Sequence, residues 1–149
     1  MKIIIDSREQ KPYQFQKIDP PPEVTIGTLQ TGDYSIEGYE GQVCIERKSA
    51  IDLFGSCGKG RDRFEREFKR MEEYRYAAIV IERDWASIYK NPPARSKMDP
   101  KNILRTLIAW QMRYGVHVWA CPTRGFAETL TYILLKRFYD DVTDGKIKA

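Results

Sequence analysis

Three short apolar runs set the limits on what this chain can fold into. Lys2 to Ile5, Ala77 to Glu82 and Val116 to Cys121 are dominated by apolar, mostly β-branched residues and show no polar alternation. Such runs read as strands buried on both faces, and a sheet built from them needs cover on both sides. The intervening stretches supply it. Between Arg61 and Tyr74, Phe64, Phe68 and Met71 recur at i, i+4 and i+7, a core-facing stripe. Asp99-Pro100 has the chemistry of a helix start, and that helix runs to about Tyr114, where Gly115 stops it. Its wide apolar face is Ile103, Leu104, Leu107, Ile108 and Met112. A last amphipathic helix covers 126–139, with Leu130, Ile133, Leu134 and Phe138 apolar. Strands and helices alternate after residue 42, which predicts an α/β sandwich around a mixed sheet.

The first third of the chain is less regular. Residues 8–22 are polar and proline-rich and read as a connector stiffened by Pro20-Pro21-Pro22. Glu23 to Leu29 carries Val24 and Ile26 on one face, a short strand pattern. Thr31-Gly32-Asp33 is a turn, and 34–36 with 42–48 read as a hairpin joined through Gly38 to Gly41. Ser49 can N-cap a short helix through Phe54, with Asp52 in its first turn. Gly55 to Gly60 reads as a glycine-rich basic loop, either a flap near a site or a plain connector. It is not a phosphate-binding P-loop, because Leu53 and Gly60 stand where that pattern needs glycine and Ser or Thr. His117, the only histidine, has no partner cluster and reads as a packed or edge residue.

The length of 149 residues fits one domain, expected over 1–139, followed by a polar tail over 140–149. The net charge of +4 is compatible with nucleic acid without being diagnostic. The three cysteines, Cys44, Cys57 and Cys121, are widely spaced, so neither a zinc site nor a disulfide framework is indicated. A reducing, cytoplasmic setting is the expectation, and no stretch resembles a signal peptide or a membrane span.

The chemistry concentrates between Gly32 and Asp52. Glu46 and Lys48 share one strand face, about 6–7 Å apart along the strand. Asp33, on the neighbouring strand of the hairpin, can meet Glu46 around one hard cation, since magnesium is usually held by one or two carboxylates with water and phosphate. Lys48 beside them can orient a water or neutralise phosphate charge. Either motif alone also reads as a solvated strand end or an ordinary turn residue. The order of the whole set carries more. Gly32-Asp33, Glu46-Arg47-Lys48 and Asp52 resemble the G-D…E-R-K-x-x-x-D signature of XPF-type structure-specific endonucleases, within the PD-(D/E)xK nucleases. Asp6-Ser7-Arg8-Glu9, Gly60-Arg61, Arg63-Phe64 and Ile79-Val80-Ile81-Glu82 extend the likeness from Asp6 to about Tyr139.

The resemblance implies a restriction-endonuclease-like three-layer α/β/α fold with a central mixed sheet flanked by helices. It implies a magnesium- or manganese-dependent DNA endonuclease acting on branched DNA such as forks and flaps. Asp33, Glu46 and the Arg47 carbonyl are the expected ligands, with Asp6 and Asp52 near and acting through water. Lys48 positions the water or stabilises the transition state, and Arg47 contacts phosphate or buttresses its strand. Arg8, Lys59, Arg61 and Arg63 are the candidate DNA contacts. Glu67 stands where similar nucleases carry glutamine, as either an added ligand or a solvent-facing residue. Family members usually append a helix-hairpin-helix module or a helicase domain, and residues 140–149 leave no room for one. DNA placement then falls to this domain, to a homodimer formed through the C-terminal helices around Trp110, Tyr132 and Tyr139, or to a separate DNA-targeting or helicase partner. The alternatives are a generic PD-(D/E)xK nuclease of resolvase or restriction type, a catalytically silent DNA-binding subunit, and a protein-interaction domain.

Overall fold

The computed structural model describes residues 1–148. Six strands form one mixed sheet. In chain order they are β1 (Lys2–Asp6), β2 (Glu23–Gly27), β3 (Tyr34–Ile36), β4 (Val43–Lys48), β5 (Tyr76–Ile81) and β6 (His117–Ala120). The spatial order is β2-β1-β3-β4-β5-β6. β1 pairs parallel with β2 and antiparallel with β3, β3 pairs antiparallel with β4, and β4, β5 and β6 run parallel. The helices are α1 (Ala50–Cys57), α2 (Arg61–Met71), α3 (Trp85–Lys90), α4 (Pro100–Tyr114) and α5 (Arg124–Thr143).

The pleat of β4 and β5 sorts the core into two layers. Cys44, Ala77, Ile79 and Ile81 point to one side and meet Leu53 and Cys57 of α1, Phe64 and Phe68 of α2, and Leu107 and Trp110 of α4. Val43, Ile45, Ala78 and Val80 point to the other and meet Ala127, Leu135 and Phe138 of α5. The expected three-layer α/β/α arrangement is therefore the observed one. Local signals match their elements. Ser49, Asp84, Asp99 and Thr123 each accept a backbone N–H in the first turn of the following helix. Gly115 ends α4 in the left-handed region at φ +67°.

Several expectations are corrected. The segment before β2 is more than a connector: Tyr13 and Phe15 are buried, and their rings pack on Tyr34. Glu128 of α5 holds this segment by accepting from the Gln14 and Phe15 N–H groups at 3.1 and 2.8 Å. On β2, Val24 and Ile26 are exposed, because β2 is an edge strand. Residues 55–57 are the last turn of α1 rather than loop, drawn in by burial of Phe54 and Cys57. On α4, Trp110 is buried while Ile108 and Met112 face outward. α5 continues four residues beyond the expected end at Tyr139, with Val142 packed on the second core layer. α3 was not expected from the sequence. Its signal is Asp84, whose carboxylate accepts from Ser87 N–H and Oγ–H. Among the described residues no helix is long and apolar enough to cross a membrane.

Candidate active site

The sheet's topology brings the sequence-predicted acids together. β3 runs antiparallel to both β1 and β4, so its start lies beside their C-terminal ends, with Tyr34 opposite Ile5 and Ile45. Asp33 precedes Tyr34 directly. Its N–H donates to Ile45 O at 2.9 Å, and its carbonyl accepts from Asp6 N–H at 2.8 Å. Its carboxylate accepts the Arg47 N–H at 2.8 Å, which turns it across the end of β4. Gly32 makes this approach possible. Its φ is +82°, and a Cβ there would lie 3.0 Å from Cys44 Cβ and 3.2 Å from Ile45 O.

Glu46 and Lys48 project to the α1–α2 side, as the pleat predicts. Lys48 Nζ lies 3.7 Å from a Glu46 oxygen, donates to Ser56 Oγ at 3.1 Å, and stands 4.9 Å from the Phe64 ring centre. Glu67, one turn before Met71 on α2, is half-buried and stands near enough to act on the charge of Glu46, as Asp33 does. Glu67 thus faces the site rather than solvent. Burial holds the Glu46 carboxyl well above the ordinary carboxylate range, and the charges of Asp33 and Glu67 add to this. Burial raises Asp33 as well, against the hydrogen bond from the Arg47 N–H.

Arg47 lies on the opposite face, and its side chain is not at the acid cluster. The guanidinium is buried, donating to both Glu9 oxygens at 2.9 Å and to Glu82 at 3.1 Å. Glu82 also accepts from the Tyr13 hydroxyl at 2.7 Å and from Arg124 at 2.9 Å. The Arg47 contacts brace β4 against Glu9 and Glu82. Glu9, Glu82, Arg124 and Ser56 were not singled out as site residues from the sequence, although Glu9 and Glu82 each follow the end of an apolar strand.

The other candidates divide. Asp6 is buried at the end of β1. Its carboxylate accepts from Leu29 N–H at 2.9 Å and from Arg8 Nε at 2.9 Å. Burial alone would raise its pKa, but the Arg8 side chain and the N–H groups of Leu29 and Arg8 bring it below the ordinary value. It braces Leu29 and Arg8. Arg8 is exposed, within electrostatic range of Asp33 and Glu46. Asp52 is exposed in the first turn of α1, and Lys59 and Arg63 are exposed. Arg61 is committed elsewhere: its guanidinium lies over Trp110 at 4.9 Å and donates to Thr106 at 2.7 Å, tying α2 to α4. Buried Trp110 and half-buried Tyr132 and Tyr139 are not the exposed aromatic face expected of a dimer surface.

The donor set has the chemistry of a hard-cation site. Asp33 and Glu46 bring two carboxylates to one sheet end beside Lys48, the oxygen-donor chemistry that suits a hard divalent cation. Among the described residues no three His, Cys, Asp or Glu side chains stand already converged in ligand geometry. The fit rests on the buried Asp33–Glu46 pair and its neighbour Glu67.

A family model described as the ERCC4 domain matches residues 5–135. The fold is that of XPF from Aeropyrum pernix, at TM-score 0.72 and 18% identity, covering 91% of this chain and 60% of that one. A structure of the same Aeropyrum pernix protein in complex with DNA gives TM-score 0.71 and 18% identity, with 93% and 65% covered. The chain thus spans less than two thirds of the proteins whose fold it shares. No curated protein matches it. With the family model spanning β1 through most of α5, the chain belongs to the ERCC4 domain family.

Proposed function

We propose that this chain is a divalent-metal-dependent DNA endonuclease domain that cuts branched DNA such as forks and flaps. The observation that carries the reading is the meeting of Asp33 and Glu46 at one end of the sheet, with Lys48 3.7 Å from Glu46, in a chain of this family. Asp33 and Glu46, with the Arg47 carbonyl, would hold magnesium or manganese. When bound, such an ion acts as a Lewis acid on phosphate and lowers the pKa of water. The chain's own residues do the rest. Arg47 N–H fixes the Asp33 rotamer, and its guanidinium, clamped by Glu9 and Glu82, fixes β4. Lys48, held at Ser56, places positive charge where the phosphoryl oxygens gain negative charge. Asp52 acts from outside the ligand set. Arg8, Lys59 and Arg63 contact DNA backbone without reading sequence.

The domain covers residues 1–139, acts inside the cell and works as a symmetric homodimer. The outward-facing Ile108 and Met112 of α4, Trp119 on the open β6 edge, and Phe126 and Ile133 of α5 support pairing through the C-terminal helices. A separate DNA-targeting or helicase partner supplies further placement.

The test is incubation with fork, flap, linear duplex and single-stranded DNA, with magnesium and with EDTA. Cutting of forks or flaps that requires magnesium is the expected result. Equal cutting of linear duplex points to a generic nuclease. Binding without cutting points to a silent subunit, and absence of DNA affinity to an interaction domain.

A further inference from the structure

A groove of about 1030 Å³ lies between α1 and the 93–98 loop. Its floor is apolar, formed by Phe54, Pro93 and Met98, with exposed Ile51 at its edge. Its rim is basic, with Lys59, Arg95 and Lys97. Lys97 and Arg95 are exposed, and no acidic side chain lines the groove among the described residues. Gly55 and Gly58 form the α1 wall, so helix backbone itself borders the opening. The groove adjoins the site: Ser56, next to Gly55, holds the Lys48 ammonium. Met98 and Gly58 also border a second depression between α2 and α4, with Arg61, Arg105 and Arg113 in its lining.

We propose that this groove holds an unpaired DNA strand next to the cleavage site, with bases on the apolar floor and phosphates on Lys59, Arg95 and Lys97. The proposal rests on the nuclease reading. Three features select this occupant. A linear run of positive charge without acids complements a polyanion. A groove of about 1030 Å³ suits an extended ligand rather than a single small anion. A recessed apolar floor has nothing to contact on a duplex, whose bases are stacked inside, whereas an unpaired strand turns its bases onto such a surface. Branched DNA presents an unpaired strand or a strand end at the branch. The groove would therefore set which side of a branch reaches Lys48.

Anisotropy of labelled oligothymidine, titrated with the full chain in EDTA over a range of salt, tests this without cleavage. Gly55→Leu is the decisive variant. Gly55 lines the groove and a Cβ there meets nothing within 4 Å, so a leucine can start into the groove and is favoured in a helix. Its melting temperature should match the parent or exceed it, and its oligothymidine affinity should fall at least tenfold. Arg95→Ala with Lys97→Ala, on an exposed loop, should lower the salt slope by about 1.4, or ~0.7 for each single-strand phosphate left unneutralised. Duplex of the same length should be insensitive to Gly55→Leu. The assignment is overturned if the parent fails to bind oligothymidine, if Gly55→Leu binds it unchanged, or if duplex responds equally. Fork cleavage in magnesium separates the two readings. Cutting by the parent, with binding indifferent to Gly55→Leu, removes the groove and leaves the nuclease. Absence of cutting, with binding abolished by Gly55→Leu, removes the nuclease and leaves the groove.

Discussion

At Glu46, burial and the negative charge of Asp33 and Glu67 act in the same direction. Glu67→Gln keeps a hydrogen-bonding group at that position and removes one charge. The variant is expected to fold and to need roughly tenfold more magnesium for half-maximal cleavage, in the range typical of residues that support ligands. Single-turnover rates across a magnesium titration check this, and an unshifted titration would show that Glu67 is idle. Arg47 makes the opposite case, a cation whose two partners are buried carboxylates. Arg47→Ala strips Glu9 of its guanidinium, while Glu82 keeps Tyr13 and Arg124, and is expected to cost about 3 kcal/mol, read from urea midpoints at constant slope. At this scale the sequence was informative where strand geometry decides. The period of two put Glu46 and Lys48 on one face, and the same period sends Arg47 to the other. What a period cannot supply is the partner across the fold. Ser56 under Lys48, Glu67 against Glu46 and Leu29 on Asp6 are each positioned by packing between distant elements.

The junction of α1, α2 and α4 separates two kinds of basic residue. Arg61 lies over Trp110 and bonds Thr106, whereas Lys59 and Arg63 point outward. Arg61→Ala is therefore expected to lower stability by about 1–2 kcal/mol, with the salt dependence of DNA binding nearly unchanged. Lys59→Ala and Arg63→Ala should leave the melting temperature alone and flatten that salt dependence by about 0.9 for each duplex phosphate left unneutralised. Thermal melts and binding across a salt series distinguish them. Strongly periodic elements were legible: α2 by its phenylalanine stripe, α4 by its caps, and the β3–β4 hairpin by its glycine loop. Elements governed by tertiary context were not. Val24 and Ile26 alternate as a half-buried strand should, yet they lie on an edge strand and stay exposed. The apolar stripe of α4 was placed too far round, because Trp110 takes the core position and leaves Met112 outside.

For the molecule as a whole, the six strands gather Asp33, Glu46 and Lys48 at one end of the sheet because β3 reverses direction between β1 and β4. Alternation of apolar strands with amphipathic helices made the three layers readable, and the signature residues located the acid end. Association was less readable, since surface and core aromatics look alike in sequence. Dimerisation through α4 is expected to be abolished by Ile108→Glu with Met112→Glu, both outward-facing. Sedimentation at tens of micromolar (an order-of-magnitude choice for a specific interface) should show the parent as a dimer and the variant as a folded monomer, and a monomeric parent would refute the pairing. The claim on which everything else depends is that Asp33 and Glu46 form the catalytic metal site. Single-turnover cleavage of a forked DNA by Asp33→Asn and Glu46→Gln, across a magnesium titration, tests it most directly. Both variants should fold, bind the fork and lose nearly all cleavage at every magnesium concentration; cutting by either at the parent rate would contradict the account.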